Sequence, residues 1–243
     1  MKKILAMVLA LSMLLCGVAF AETLKVGTNP EFAPFEYVGD DGNVTGIDID
    51  IMQAICEKIG YELQLETMSF DALIPALISG QIQASISGMT ITEERAQSVL
   101  FSNPYFSATQ VIIVPAEGAV VTCEADLEGK KIGVCMGYTG DLYVTDSFPT
   151  ATIERYEKGM DAVQDLANGR LDAVVLDEAP AKVLADQAGT LTVLEDRLSD
   201  EQYGIAMPLD ATELCEKINA ALAELEADGT LQACIDKYKS TEQ

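Results

Sequence analysis

A helix–glycine–strand unit occurs twice in this chain, and it restricts the fold more than any other feature. The first copy reads Asp71-Ala-Leu…Ala-Leu…Gly80-x-Ile82-x-Ala84, the second Asp161-Ala-Val…Leu-Ala…Gly169-x-Leu171-Asp-Ala173. In each, an apolar stripe at helical spacing stops at a glycine and gives way to a short apolar run. A second pair follows the same order: Lys25-Val-Gly-Thr28 and Lys131-Ile-Gly-Val134 both lead into loops of small or turn residues. One such match is common among α/β proteins. Two in the same order predict two lobes of similar build, each a mostly parallel sheet covered by helices.

The intervening pattern fits. Leu24–Thr28 reads as a strand, and Asp48 as the cap of a helix in which Ile51, Ile55 and Ile59 recur before Gly60. Tyr61–Glu66 alternates as a strand. Phe70–Ser79 reads as a helix closed by Gly80, although Pro75 suits a helix only in its first turn. Gln81–Ser87 is the next strand. The tail supplies a strand at Tyr203–Met207 and helices over Thr212–Glu226 and Leu231–Tyr238. With the tail packed on the first lobe, the chain crosses twice, at Gln110–Val114 and near Gln202-Tyr203. Two strand-like crossings form a hinge, and a hinge makes a closable cleft. The expected division is residues 22–109 plus 204–243 for lobe 1 and 110–203 for lobe 2.

Residues 1–21 read as an export signal. Lys2 and Lys3 precede a nearly unbroken apolar run from Ile4 to Phe20, and Ala19-Phe20-Ala21 is a small-x-small cleavage pattern. The run falls short of the roughly 20 residues of a spanning helix, and polar sequence follows at once. Lipid attachment at Cys16 is disfavoured, because Leu15 stands where a small residue is wanted. Nothing else in the sequence approaches a membrane span. The expected product is exported, soluble and monomeric, in the periplasm or at the cell surface.

Charge and composition remove whole classes of function. The formal net charge is −24, and losing Lys2 and Lys3 makes it two units more negative. Such a surface repels phosphate, which excludes nucleic-acid binding. The chain has no His, so Ser-His and Cys-His catalysis and the usual zinc ligand are missing. Cys56, Cys123, Cys135, Cys215 and Cys234 remain after cleavage, with no CxxC among them. They read as buried small hydrophobes, with a Cys215–Cys234 disulfide open. No cofactor or metal is expected. The acids Glu213, Glu216, Glu224 and Glu226 read as one solvated helix face.

Four loops carry the chemistry. In Ser87-Gly-Met-Thr-Ile-Thr-Glu-Glu-Arg95, Gly88 follows a strand, Thr90 or Thr92 can cap a helix, and Thr90-x-x-Glu93 fits a capping box. Arg95 alone would be a surface cation paired with an acid. Beside helix-start amides and threonine hydroxyls it makes a carboxylate receptor. Asp177, in Asp172-Ala-Val-Val-Leu-Asp177-Glu178, lies just past a buried strand at the end where α/β sheets bind ligands. It can cap the following helix or receive an ammonium. Phe32 and Phe70 are core residues or apolar walls for a ligand side chain. The loop Cys135-Met-Gly137-Tyr-Thr139-Gly140 precedes a helix beginning near Asp141 and could offer amides to an anion.

Five segments in order are similar to one family. They are Gly27–Tyr37, Gly46-Ile-Asp-Ile-Asp50, Leu73-Ile-Pro-Ala-Leu77, Gly88-Met-Thr-Ile-Thr-Glu-Glu-Arg95 and Gln202-Tyr-Gly-Ile-Ala206. The chain resembles polar amino-acid-binding proteins of bacterial solute-binding family 3, over essentially Glu22 to the C-terminus. The resemblance implies a type II periplasmic-binding fold that closes around a polar, neutral or basic L-amino acid and delivers it to an ABC permease. By position, Arg95 resembles the clamp of the ligand carboxylate, helped by Thr90 and Thr139. Asp177 resembles the ammonium acceptor, with the Gly88 carbonyl as a second. Phe32 and Phe70 resemble the aromatic walls, and Cys135 occupies a variable pocket position. Asn29 stands where some lysine- and arginine-binding relatives carry Asp. That change argues against a cationic ligand unless Glu31 or another acid compensates. The fold also hosts cyclohexadienyl dehydratases, which need a positioned acid, and receptor sensor domains. The amino-acid clamp disfavours the first, and the absence of a signalling segment up to Gln243 disfavours the second.

Overall fold

The computed structural model describes residues 22–239, so the export-signal reading lies outside the described residues. Two five-stranded sheets form the frame. The first has the order Tyr61–Thr67, Glu22–Thr28, Ala84–Ser85, Ala206–Pro208, Val99–Phe101. The second has Thr152–Tyr156, Lys131–Cys135, Ala173–Asp177, Gln110–Pro115, Leu191–Val193. In both, the first three strands are parallel, and the fourth runs antiparallel to its neighbours on either side. The duplicated unit of the sequence is therefore a duplicated sheet, and the fold is the expected two-lobed α/β architecture.

Each sheet takes its fourth strand from chain that has just left the other. Between them Phe106–Ala108 pairs antiparallel with Glu201–Tyr203, in the register Tyr203↔Phe106, Gln202↔Ser107, Glu201↔Ala108. This two-stranded ribbon corrects the expected first crossing. Gln110–Pro115 lies inside the second sheet, and its buried run Gln110–Val114 suits a strand covered on both faces. The expected strand Tyr203–Met207 is also divided. Glu201–Tyr203 belongs to the ribbon and Ala206–Pro208 to the first sheet. Gly204 separates them, and a Cβ there would fall 2.8 Å from the Ile91 side chain.

Helix Ile47–Ile59 buries Ile51, Met52, Ile55 and Cys56 and packs against strand Tyr61–Thr67 and both C-terminal helices, Thr212–Ala227 and Thr230–Lys239. The tail thus returns to the first sheet. Helix Gly159–Ala167 covers the second sheet with Ala162, Val163 and Leu166. Pro75 sits inside helix Phe70–Ile78 rather than in its first turn. The carbonyl it cannot pair with is that of Asp71, an exposed residue that water can satisfy. The ladder of Ala84–Ser85 is shorter than the expected Gln81–Ser87.

Two further readings are corrected. Asp48 does not cap its helix; Gly46 holds the N-cap, and Asp48 lies buried in the first turn. Cys215 and Cys234 are free thiols, as are the other three described cysteines. The Cys215 sulfur instead faces the Phe101 carbonyl and the Asn219 amide, each at 3.6 Å.

Gly46 has φ of 136°, and a Cβ there would stand 2.0 Å from the Phe35 carbonyl oxygen. Gly46→Ala is expected to lower the unfolding free energy by about 2–3 kcal/mol in urea titrations; a change within about 0.5 kcal/mol would contradict the required close approach.

Candidate functional site

The parallel strands of both sheets end at the same cleft. Strands Glu22–Thr28 and Ala84–Ser85 lead into the loops holding Asn29, Phe32, Gly88 and Thr90. Strands Lys131–Cys135 and Ala173–Asp177 bring Cys135, Tyr138, Thr139 and Asp177. Six of the expected residues (Phe70, Gly88, Thr90, Arg95, Thr139 and Asp177) line one cavity of about 10 Å³, together with Ser87 and Tyr138. Phe32 and Cys135 line a neighbouring cavity of about 290 Å³. Asn29 faces a third, beside Met68, Ser69 and Lys158.

Arg95 is buried where the two lobes meet. Thr92 caps the short helix Glu93–Ala96 by accepting from the Arg95 amide at 3.1 Å. The expected Thr90–Glu93 capping box does not form. The Arg95 guanidinium donates to the Thr90 carbonyl at 2.7 Å and, across the cleft, to the Gly137 carbonyl at 2.9 Å. Its carbon lies 5.2 Å from the Phe70 ring centre, a cation–π distance. Burial lowers its pKa, and the carboxylates of Asp177 and Glu201 oppose that shift. Arginine stays cationic in any protein environment.

Asp177 is the buried anion on the other side. It stands at the N-cap of helix Glu178–Ala188 without a side-chain capping bond. Instead its Oδ1 accepts from the Tyr203 hydroxyl, on the hinge ribbon, at 2.6 Å. Burial first, then the charge of Glu201, push its pKa up to about 6. The site thus holds a buried cation from one lobe and a buried acid from the other.

Glu201 was not visible as a site residue in the sequence. From the hinge ribbon its Oε2 accepts from Thr90 Oγ1 at 2.7 Å and Thr139 Oγ1 at 2.8 Å. Gln110 Nε2 reaches the same oxygen at 3.3 Å, and Ser199 donates to Oε1 at 2.9 Å. Thr90 and Thr139 come from opposite lobes, so one carboxylate ties both to the hinge. Each hydroxyl has a single proton to give, and here it goes to Glu201.

A buried acid pair supports the loop from behind. Asp48 Oδ2 accepts from the Gly88 amide at 2.7 Å and the Tyr105 hydroxyl at 2.8 Å. Glu36 Oε1 accepts from Ser87 Oγ at 2.7 Å, and Ser87 Oγ in turn accepts from the Asn29 amide at 3.0 Å. Burial drives both acids upward, Asp48 to about 6 and Glu36 well above its usual range. After burial, the charge of Asp48 is the next cause that raises Glu36. The pair fixes Ser87, Gly88 and Asn29 without touching the cavity chemistry. Gly88 has φ of 51°, and a Cβ there would lie 2.4 Å from the Phe32 ring. Only glycine lets the ring close on that loop.

Within the loop expected to offer amides to an anion, those of Gly137 and Tyr138 are bonded locally, to Asp141 and to the Cys135 carbonyl. Burial pushes the Cys135 thiol up to about 12, so it is an inert wall rather than a nucleophile. Tyr138 was also missed. Its ring packs edge-on against Phe32 at 5.4 Å and lies 4.6 Å from Phe70. An aromatic within a loop of small residues was the available signal.

Comparison with known proteins settles the lineage. Residues 24–241 match bacterial extracellular solute-binding proteins, family 3. The chain belongs to that family. It is 36% identical over 227 residues to ABC transporter arginine-binding protein 1 of Escherichia coli (strain K12), covering 91% of this chain and 93% of that one. An ancestral arginine-binding protein bound to glutamine matches with a TM-score of 0.86 and 40% identity, over 90% of this chain and 98% of its own. The arginine-, lysine-, histidine-binding protein ArtJ of Geobacillus stearothermophilus matches with a TM-score of 0.84 and 36% identity, over 89% and 95%. These relatives are binding proteins, not enzymes. Among the described residues no helix is long and apolar enough to cross a membrane.

Two outcomes follow from this geometry. Glu201→Gln keeps the shape but replaces one accepting oxygen with a donor. It is expected to lower the unfolding free energy by about 2 kcal/mol, the scale of a hydrogen bond to a charged group; no loss in urea titrations would mean that the carboxylate ties nothing together. The second concerns pH. The folded pKa of Asp177 is raised to about 6. Its contribution is therefore fully present below the ordinary carboxylate range and is lost as pH rises through about 6. Asp177→Asn keeps an acceptor for Tyr203 and should flatten the fall in stability between about pH 4 and pH 7; an unchanged slope would contradict the raised pKa.

Proposed function

We propose that this protein is the extracytoplasmic ligand-binding component of an ABC amino-acid importer, closing around an L-α-amino acid and passing it to a membrane permease. The observation that carries this reading is the pair Arg95 and Asp177, a buried cation and a buried acid lining one cavity between two hinged lobes. An α-amino acid presents a carboxylate and an ammonium on one carbon. Arg95 would take the first and Asp177, with the Gly88 carbonyl, the second. The Thr90 and Thr139 hydroxyls would join the carboxylate by exchanging their bonds to Glu201.

We place the lobes at residues 22–109 with 204–243 and at 110–203, joined by the ribbon of Phe106–Ala108 and Glu201–Tyr203. Closing expels water from around both ions, which strengthens each charge-assisted bond. The ligand favours the closed form because only that form offers both partners at once. The permease would read that closed form. The protein works as a monomer outside the cytoplasm, after loss of residues 1–21, with a formal charge that keeps it dispersed. A dehydratase would need an acid poised to drive elimination. The buried acids here are instead committed to Tyr203, Tyr105, Ser87 and Gly88.

A melting-temperature screen against the common L-amino acids tests the reading. A ligand at 100 times its Kd should add about 2.7 kcal/mol to stability. Arg95→Ala should remove that shift while circular dichroism stays native, and a full shift in the variant would refute the clamp. Asp177→Asn should cost about 2–5 kcal/mol in binding, measured by titration calorimetry.

A further inference from the structure

The cavity holding Arg95 and Asp177 measures about 10 Å³. That is at the threshold for a single water. Space for a ligand side chain must come from next door, and one residue stands in the way. Tyr138 lines both this cavity and the neighbour of about 290 Å³. Its ring lies against both Phe32 and Phe70, the two rings expected to flank a ligand. It is 8% exposed, so the ring itself is part of the packed boundary between the two spaces.

The larger cavity has a definite chemistry. Apolar residues, among them Phe32, Met160, Leu176, Pro180 and Val183, make up most of its wall, beside the polar Tyr37 and Gln187. Its one charged lining residue among those described is Glu31. That carboxylate is already held by Lys158, across the cleft, at 2.6 Å. Asn29, which carries no charge, faces elsewhere. A guanidinium or ammonium entering this cavity would have to displace Lys158 to reach Glu31, and a buried cation left without a carboxylate is costly.

We propose that Tyr138 is a movable partition that sets ligand selectivity. Turned away from Phe32 and Phe70, it joins the two cavities into one site for an L-amino acid with a long, uncharged, mostly apolar side chain. The α-carboxylate and ammonium stay on Arg95 and Asp177, and the side chain runs past Phe32 into the space lined by Leu176, Pro180 and Val183. The Tyr138 hydroxyl is then free to bond a ligand heteroatom or water. This deepens the proposed amino-acid reading and rests on it.

Titration calorimetry with L-methionine and L-arginine decides the matter, using the wild type, Tyr138→Ala and Val183→Glu. The wild type is expected to bind methionine about tenfold or more tighter than arginine. Val183→Glu puts a carboxylate in the larger cavity, on helix Glu178–Ala188, where glutamate is a good helix former. It should reverse or erase that preference. Tyr138→Ala should admit L-phenylalanine at least about fivefold more tightly than the wild type does. Circular dichroism confirms that each variant folds. Arginine binding the wild type as tightly as methionine would overturn the inference and leave the amino-acid reading standing. An unchanged phenylalanine affinity in a folded Tyr138→Ala would overturn the role of Tyr138. Failure of every amino acid to bind the wild type would overturn the underlying reading itself.

Discussion

A guanidinium buried where two lobes meet needs partners to offset its lost hydration, and much of this structure supplies them. Arg95 spends bonds on a carbonyl from each lobe, Thr90 and Gly137, and lies over Phe70. The carboxylates of Asp177 and Glu201 sustain its charge through space. Removing a charged group from water is expensive unless such partners surround it. The lobes cannot separate without breaking the bond to Gly137. That bond couples the cation directly to the contact between the lobes.

The hinge is more than a connector. Glu201 and Tyr203 sit on its second strand, one tied to the hydroxyls of both lobes and the other to Asp177. The backbone of Met89–Ile91 also pairs with Gln202 and Gly204. The segment that holds the cation's loop is thus the segment about which the lobes turn. Behind it, the acid pair of Glu36 and Asp48 fixes Ser87 and Gly88, so the loop enters the cleft already shaped. Preorganisation of this kind places the strain of burying acids behind the site rather than in it.

Arg95, Asp177 and Phe70 were legible because each stands at a strand or helix end inside a patterned segment, and because the segments resemble a known family. Glu201 was not. It lies in an acidic stretch beside Asp200, and nothing local separates a solvated acid from one that bonds two distant threonines. Asp48 looked like a cap because Asp before an apolar stripe often is one. Its true partners, Gly88 and Tyr105, are 40 and 57 residues away. Tyr138 and Asn29 show the reverse case. One was passed over and stands in the middle of the site, while the other was expected in the pocket and faces a different cavity.

The sequence by itself determined the two similar sheets, the helices that cover them and the two residues of opposite charge at the cleft. Those follow from local periodicity, glycine stops and strand-end position, all of which a linear chain displays. Tertiary structure alone decided where the chain crosses, which strand each sheet borrows from the other, and that Glu201 rather than a capping box receives the Thr90 hydroxyl. It also decided that Tyr138 divides the cavity and that Lys158 neutralises Glu31. Such outcomes depend on contacts between residues far apart in the chain, whose energies are set by burial and shared protons rather than by neighbours in sequence.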